Sequence, residues 1–147
     1  MTKSLRELSD RLEIQDLLVD YSYAVDRRDW DALDRIFTPD AMIDLRATGG
    51  ACGDLAAIKA FLTEALAHFT VSQHLVAASK IELTGDAATG RTMCHNPLVF
   101  AGGRVMFVGL WYVDRFARTD DGWRISHRAQ ELAFFHNAPR PAAGTVS

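Results

Sequence analysis

A chain of 147 residues, 48% hydrophobic and 24% charged, has the makeup of one globular domain large enough for a core and an adjoining pocket. Its formal net charge of −3, with Lys and Arg scattered, gives no basis for a nucleic acid or an anionic membrane surface as partner. No apolar run approaches the ~18 residues of a membrane span, and the charged start MTKSLRELSDRLE lacks a signal peptide's apolar stretch, so a cytoplasmic location is expected.

Ser4 and Glu7 form a capping-box pattern that opens a long amphipathic helix. Leu5, Leu8, Leu12, Val19, Ser22 and Asp26 recur at helical spacing, which places Asp26 on the presumed core face. Asp29 can cap a second, short helix over WDALDRIF, ended by TPDA because Pro39 resists helical continuation. MIDLRA reads as a short strand and TGGACGD as a loop carrying Cys52. A third helix over about 55–69 carries Leu55, Ile58, Phe61, Leu62, Leu66 and Phe69 on its apolar side.

Beyond residue 70 the pattern turns to strands. HLVAASKIEL, AATGRTMCHNPLVF, RVMFVGLWYVDRFAR and GWRISHRAQELAFF are strand-like runs separated by the turn signals TGD, AGG and TDDG. Helices first and a meander second predict an α+β domain, residues 1–137, with a Pro- and Ala-rich unordered tail at 138–147. Between Val105 and Val113 both alternating sets are apolar, so both faces of the sheet should be covered. Helices cover one face, and a second copy of the chain is the simplest cover for the other, which predicts a homodimer.

Several side chains could carry chemistry. A carboxylate such as Asp26 near a helix C-terminus opposes the macrodipole and needs compensation, which Arg27 and Arg28 could supply at the surface or a partner in the interior. His74 begins a strand after the third helix, where an imidazole suits general acid–base work. Strict alternation aligns it with Val76, Lys80 and Glu82, an exterior set, unless a bulge interrupts VAAS. In MCHNPLVF, alternation sets Asn96 inward and His95 outward with Arg91, and a bulge at Pro97 could re-aim either, so both stay candidates for the pocket. Asn96 offers a donor and an acceptor to a carbonyl or hydroxyl ligand. Tyr21 and Tyr23 are core or interface aromatics unless one turns its hydroxyl to the pocket. Arg128 and Glu131 suit ion pairs across strands. The remaining histidines and the separated Cys52 and Cys94 show no metal-ligand spacing, and no phosphate loop or nucleophile elbow occurs, so neither metal nor cofactor is expected.

This order of elements, with YSYAVDRRDWDALDRIFTPDA, SQHLV and GLWYVDRFARTDDGWRI, resembles the SnoaL-like branch of the nuclear transport factor 2 superfamily over about residues 5–136. The resemblance implies a cone-shaped α+β barrel, with three helices folded over a strongly curved, mainly antiparallel mixed sheet around an apolar cavity. Within it, Asp26-Arg27-Arg28-Asp29-Trp30 and Gln73-His74 are similar to the motifs of scytalone dehydratase-type members. There the aspartate supports a histidine, and two histidines act as acid and base. The positions matching that group's tyrosine and second histidine read Leu45 and Leu98, and those of its serine and asparagine fall near Trp111 and Val113. The implied function is dehydration, isomerisation or cyclisation of a cyclic oxygenated small molecule by an Asp26–His74 pair. Asn96, Tyr21, Tyr23 or His95 would hold that apolar or aromatic ligand. The alternative is a non-catalytic ligand-binding or accessory subunit of the same fold.

Overall fold

A computed structural model describes residues 2–139, so the expected tail lies, from residue 140 on, outside the described residues. Helix α1 (Leu5–Asp26) begins with a reciprocal cap: Ser4 Oγ accepts from the Glu7 amide at 3.1 Å, and Glu7 Oε2 accepts from the Ser4 amide at 2.8 Å. Two amides with no partner inside the helix are thereby satisfied.

The buried side of α1 is not the one expected. Ile14, Leu17, Leu18, Tyr21 and Val25 are buried, whereas Leu5 is 87% and Leu12 66% exposed, with Leu8 and Val19 also in solvent. At about 100° per residue the helix carries two apolar rows on nearly opposite sides, and the sheet takes the denser one. Asp26 shares the phase of the outward row.

Among the described residues two α-helices form, not three. WDALDRIF supplies only a five-residue 3-10 helix (Asp31–Arg35), although Asp29 Oδ1 does accept from the Ala32 amide at 3.2 Å. TPDA is no terminator: it lies inside β1 (Phe37–Asp44), where the register shifts between Phe37 and Met42 and tolerates Pro39. A second 3-10 turn (Arg46–Thr48) and β2 (Cys52–Gly53) lead into α2 (Leu55–Leu66), capped by Asp54 Oδ1 accepting from the Ala57 amide at 2.9 Å.

The strands are β3 (Phe69–Ser72), β4 (Leu75–Val76), β5 (Lys80–Thr84), β6 (Ala87–Phe100), β7 (Val105–Thr119) and β8 (Gly122–His136). They join β1 and β2 in one mixed sheet of order β2-β1-β8-β7-β6-β3, with β4 and β5 also paired to β6. Only β1 and β8 run parallel among the pairs described. The anticipated turn signals fall at the hairpins, with Gly102 and Gly103 at φ of 93° and 92° between β6 and β7, a conformation costly for other residues.

The run HLVAASKIEL is interrupted. Val76 pairs with Cys94 and Lys80 with Arg91, so four steps along one strand match three along β6, and the surplus residue falls in Ala77–Ser79. By contrast, the β6–β7 register passes unshifted through Pro97, correcting the expected bulge there. Pro97 instead faces the break between β3 and β4, where its carbonyl accepts from the Gln73 amide at 3.1 Å.

On the inner face of β7, Met106, Val108, Leu110, Tyr112 and Phe116 are buried with the core side of α1 and with Ile58 and Leu62 of α2. On the outer face, Phe107 is 40% exposed, alongside Met93 and Phe134 at 46%. Both cysteines are free thiols, Cys52 exposed and Cys94 buried. Cys94 is pushed up to about 11 by burial.

Candidate active site

The last turn of α1 and the link between β3 and β4 meet at one carboxylate. Asp26 Oδ1 lies 2.6 Å from His74 Nδ1 and accepts from Ser72 Oγ at 3.0 Å, while Oδ2 accepts from the His74 backbone amide at 2.8 Å. Asp26 therefore reaches His74 because the Ser72–His74 segment crosses the helix end, not because the helix aims it at the sheet. Burial works against its charge, yet the hydrogen bonds from His74 and Ser72 outweigh it and hold the carboxyl below its usual value.

The compensation demanded by the macrodipole comes from Arg28. Its amide bonds the Val25 carbonyl at 3.1 Å and the Asp29 amide bonds the Ala24 carbonyl at 2.9 Å, a Schellman ending. Arg28 takes the left-handed position at φ 59°, where glycine is usual. Its guanidinium gives a reason: Nη1 donates to the Val25 carbonyl at 3.1 Å, the Asp26 carbonyl at 3.2 Å and Ser72 Oγ at 2.8 Å. One side chain thus caps the helix and orients the hydroxyl that donates to Asp26. Arg27, in contrast, lies outside over the Tyr23 ring at 5.0 Å.

With Nδ1 held by Asp26, the His74 ring nitrogen left for chemistry is Nε2. His74 lines an inner pocket of about 220 Å³, walled by such residues as Leu45, Phe61, Leu98 and Met106. It also borders an outer groove of about 480 Å³ that includes Asp26, Ser72 and Gln73. Tyr21 lines the inner pocket with its ring edge-on to His74 at 6.4 Å between centroids. Burial raises the Tyr21 hydroxyl above its usual value, which keeps it protonated as a donor.

Asn96 also lines the inner pocket and is 8% exposed. His95 does not: it is exposed on the outer sheet face, edge-on to Phe134 at 6.2 Å. An unshifted β6 leaves simple alternation in force, so His95 is removed from the pocket candidates. Tyr23 is likewise corrected, being 57% exposed and bordering only the outer groove of these two. Leu45 and Leu98 line the pocket as apolar wall.

Behind the pocket, the cross-strand ion pair expected for Arg128 forms with Asp114, and it is buried. Arg128 donates from Nε and Nη2 to Asp114 Oδ1 and Oδ2, each at 2.8 Å, and both residues are buried. The guanidinium packs against both the Tyr21 and Tyr112 rings, 4.3 Å and 3.8 Å from their centroids. Glu131 pairs instead with Arg91 on the outer face. Asp10, on the core side of α1, accepts from Arg118 through both oxygens at 2.8 Å and from Trp123 Nε1 at 3.0 Å, tying the helix to the β7–β8 hairpin.

The model of the SnoaL-like domain matches residues 6–129. An uncharacterised protein of Mycobacterium tuberculosis is 53% identical over 133 residues, covering 89% of this chain and 90% of that protein. Among solved structures, one from Novosphingobium aromaticivorans assigned as a scytalone dehydratase superposes with TM-score 0.82 at 19% identity, covering 95% of each chain. A hexachlorocyclohexane dehydrochlorinase (LinA, type 2) superposes with TM-score 0.82 at 19% identity, covering 98% of this chain and 100% of that one. At those identities the two structures establish a shared fold.

Proposed function

This chain belongs to the SnoaL-like family, and we propose that it is a cofactor-independent proton-transfer enzyme, a lyase or isomerase of a cyclic oxygenated molecule bound in the inner pocket. The observation that carries the reading is the 2.6 Å contact between Asp26 and the imidazole of His74, a residue that also lines that pocket. Two structural neighbours are named for eliminations, a dehydratase and a dehydrochlorinase, which supports a lyase within this class.

In the simplest reaction, Nε2 of His74 takes a proton from the carbon next to a carbonyl, and the C–H electron pair passes into an enolate. Tyr21 donates to the developing oxyanion. As the carbon–carbon double bond forms, the bond to a β-hydroxyl breaks with its electron pair, and the imidazolium returns the proton to that oxygen as water. One histidine serves both steps, which suits a pocket with leucines at 45 and 98. Those leucines also favour a second reading, a binding protein without turnover.

3-Hydroxycyclohexanone in deuterated water separates the two readings. An enzyme forms cyclohexenone or incorporates deuterium beside the carbonyl, and His74→Ala abolishes both. Equal rates with native protein, His74→Ala and buffer contradict the enzymatic reading.

The open outer face of β6–β8, carrying Met93, Phe107 and Phe134, supports a homodimer through that face. Light scattering should give twice the mass of one chain, and Phe134→Asp should return it to a single chain. A native chain of single mass contradicts the dimer.

A further inference from the structure

We infer that Asn96 selects the ligand of the inner pocket, accepting a hydrogen bond at Oδ1 from the hydroxyl of a neutral alcohol or phenol. The inference rests on the inner pocket being the substrate site and adds the chemical class of what enters it. Asn96 lies on β6 opposite Val108, in an unshifted ladder that fixes its side chain on the pocket side. The residue is 8% exposed, and its Oδ1 is buried without a hydrogen-bond partner among the described residues. A buried acceptor left unpaired costs more than a paired one gains, so a ligand that supplies the donor is favoured over one that cannot.

The other amide of the pocket differs. Gln130 Oε1 already accepts from Thr48 Oγ1, so its carbonyl is engaged by the protein. Asn96 is thus the side-chain amide whose acceptor remains for a ligand.

Charge narrows the class further. No Lys, Arg, Asp or Glu lines the pocket among the described residues. Arg128 lies behind Tyr21 and Tyr112 and is committed to Asp114. A carboxylate or phosphate entering this pocket would lose its water without meeting a counter-charge, and the Asp26 carboxylate nearby would repel it. The walls, with Phe61, Phe69, Phe135 and Leu98, accept an apolar ring instead. A single neutral hydroxyl on an apolar body satisfies both the orphan oxygen and the uncharged wall.

Binding, read by titration calorimetry on the full chain without turnover, tests this apart from the proposed chemistry. The probes are 2-naphthol, its methyl ether, which lacks the donor, and 2-naphthoate, which is charged. The native chain should bind 2-naphthol about tenfold more tightly than the ether, the worth of one neutral hydrogen bond. It should bind naphthoate more weakly than either. Asn96→Leu should equalise naphthol and ether, and Asn96→Val serves if the leucine variant does not fold.

Equal affinities for naphthol and ether in the native chain, no binding of either, or a preference that survives both variants overturns the inference. Deuterium incorporation by the native chain alongside equal affinities would leave the proton-transfer reading standing and this one refuted. The tenfold preference without deuterium incorporation would do the reverse.

Discussion

Replacing Asp26 by asparagine lowers turnover of 3-hydroxycyclohexanone by roughly 10²- to 10⁴-fold, the range for one positioned proton-transfer group. The substitution barely changes size, and an amide oxygen can still accept from the His74 backbone amide. What changes is the imidazole. The carboxylate can only accept, so at 2.6 Å it holds the proton on Nδ1 and leaves Nε2 as the base. An asparagine amide can donate to Nδ1 instead, moving the proton to Nε2, and it no longer stabilises the imidazolium formed after proton transfer. Asp26 thus acts through His74 as a positioning residue, so kcat should fall with little change in KM.

A pH signature accompanies the loss. Burial opposes the Asp26 charge, but the bonds from His74 and Ser72 leave its carboxyl below the ordinary value of 3.8. A folded value lower than the unfolded one contributes stability that is full above the unfolded value and lost as pH falls through the folded one. Urea midpoints on the acid side should therefore fall less steeply with pH in Asp26→Asn than in the native chain. Parallel acid limbs would contradict the assignment.

The second large effect is on stability. Asp114→Ala should cost about 3–5 kcal/mol, read by urea unfolding, because it leaves the Arg128 charge buried without its partner. Burial already pushes the Asp114 carboxyl up, and the two charges are held inside chiefly by one another. The double substitution Asp114→Leu with Arg128→Met should recover most of that loss, since apolar replacement of a buried pair is often near neutral. It should not recover all of it, because Arg128 also packs against the Tyr21 and Tyr112 rings. A double variant as unstable as Asp114→Ala would place the loss in packing rather than in an unpaired charge.

Local signals were legible in the sequence where local physics decides the outcome. The Ser4–Glu7 cap, the glycine-marked hairpins and the alternation that turns Asn96 inward needed only near neighbours. The phase of α1 did not yield, because its sequence holds two apolar rows and only the sheet chooses between them. Asp10, Arg28 and Ser72 escaped for a related reason. Asp10 meets Arg118 and Trp123 across 108 and 113 residues, and Ser72 meets Asp26 across 46. Such polar side chains read as surface until the fold brings their partners. Arg28 reads only as a surface charge, since an arginine in a left-handed position has no local signature. A run such as TPDA became a strand because β8 supplied the pairing that Pro39 alone would not suggest.

Nitrogen NMR of the His74 imidazole at mildly alkaline pH tests the Asp26–His74 assignment most directly, needing neither a substrate nor an assay. The expected result is a proton on Nδ1, shifted downfield by its bond to Asp26, with Nε2 unprotonated, and a reversal of that tautomer in Asp26→Asn. A native His74 carrying its proton on Nε2, or a tautomer unmoved by the substitution, would contradict it.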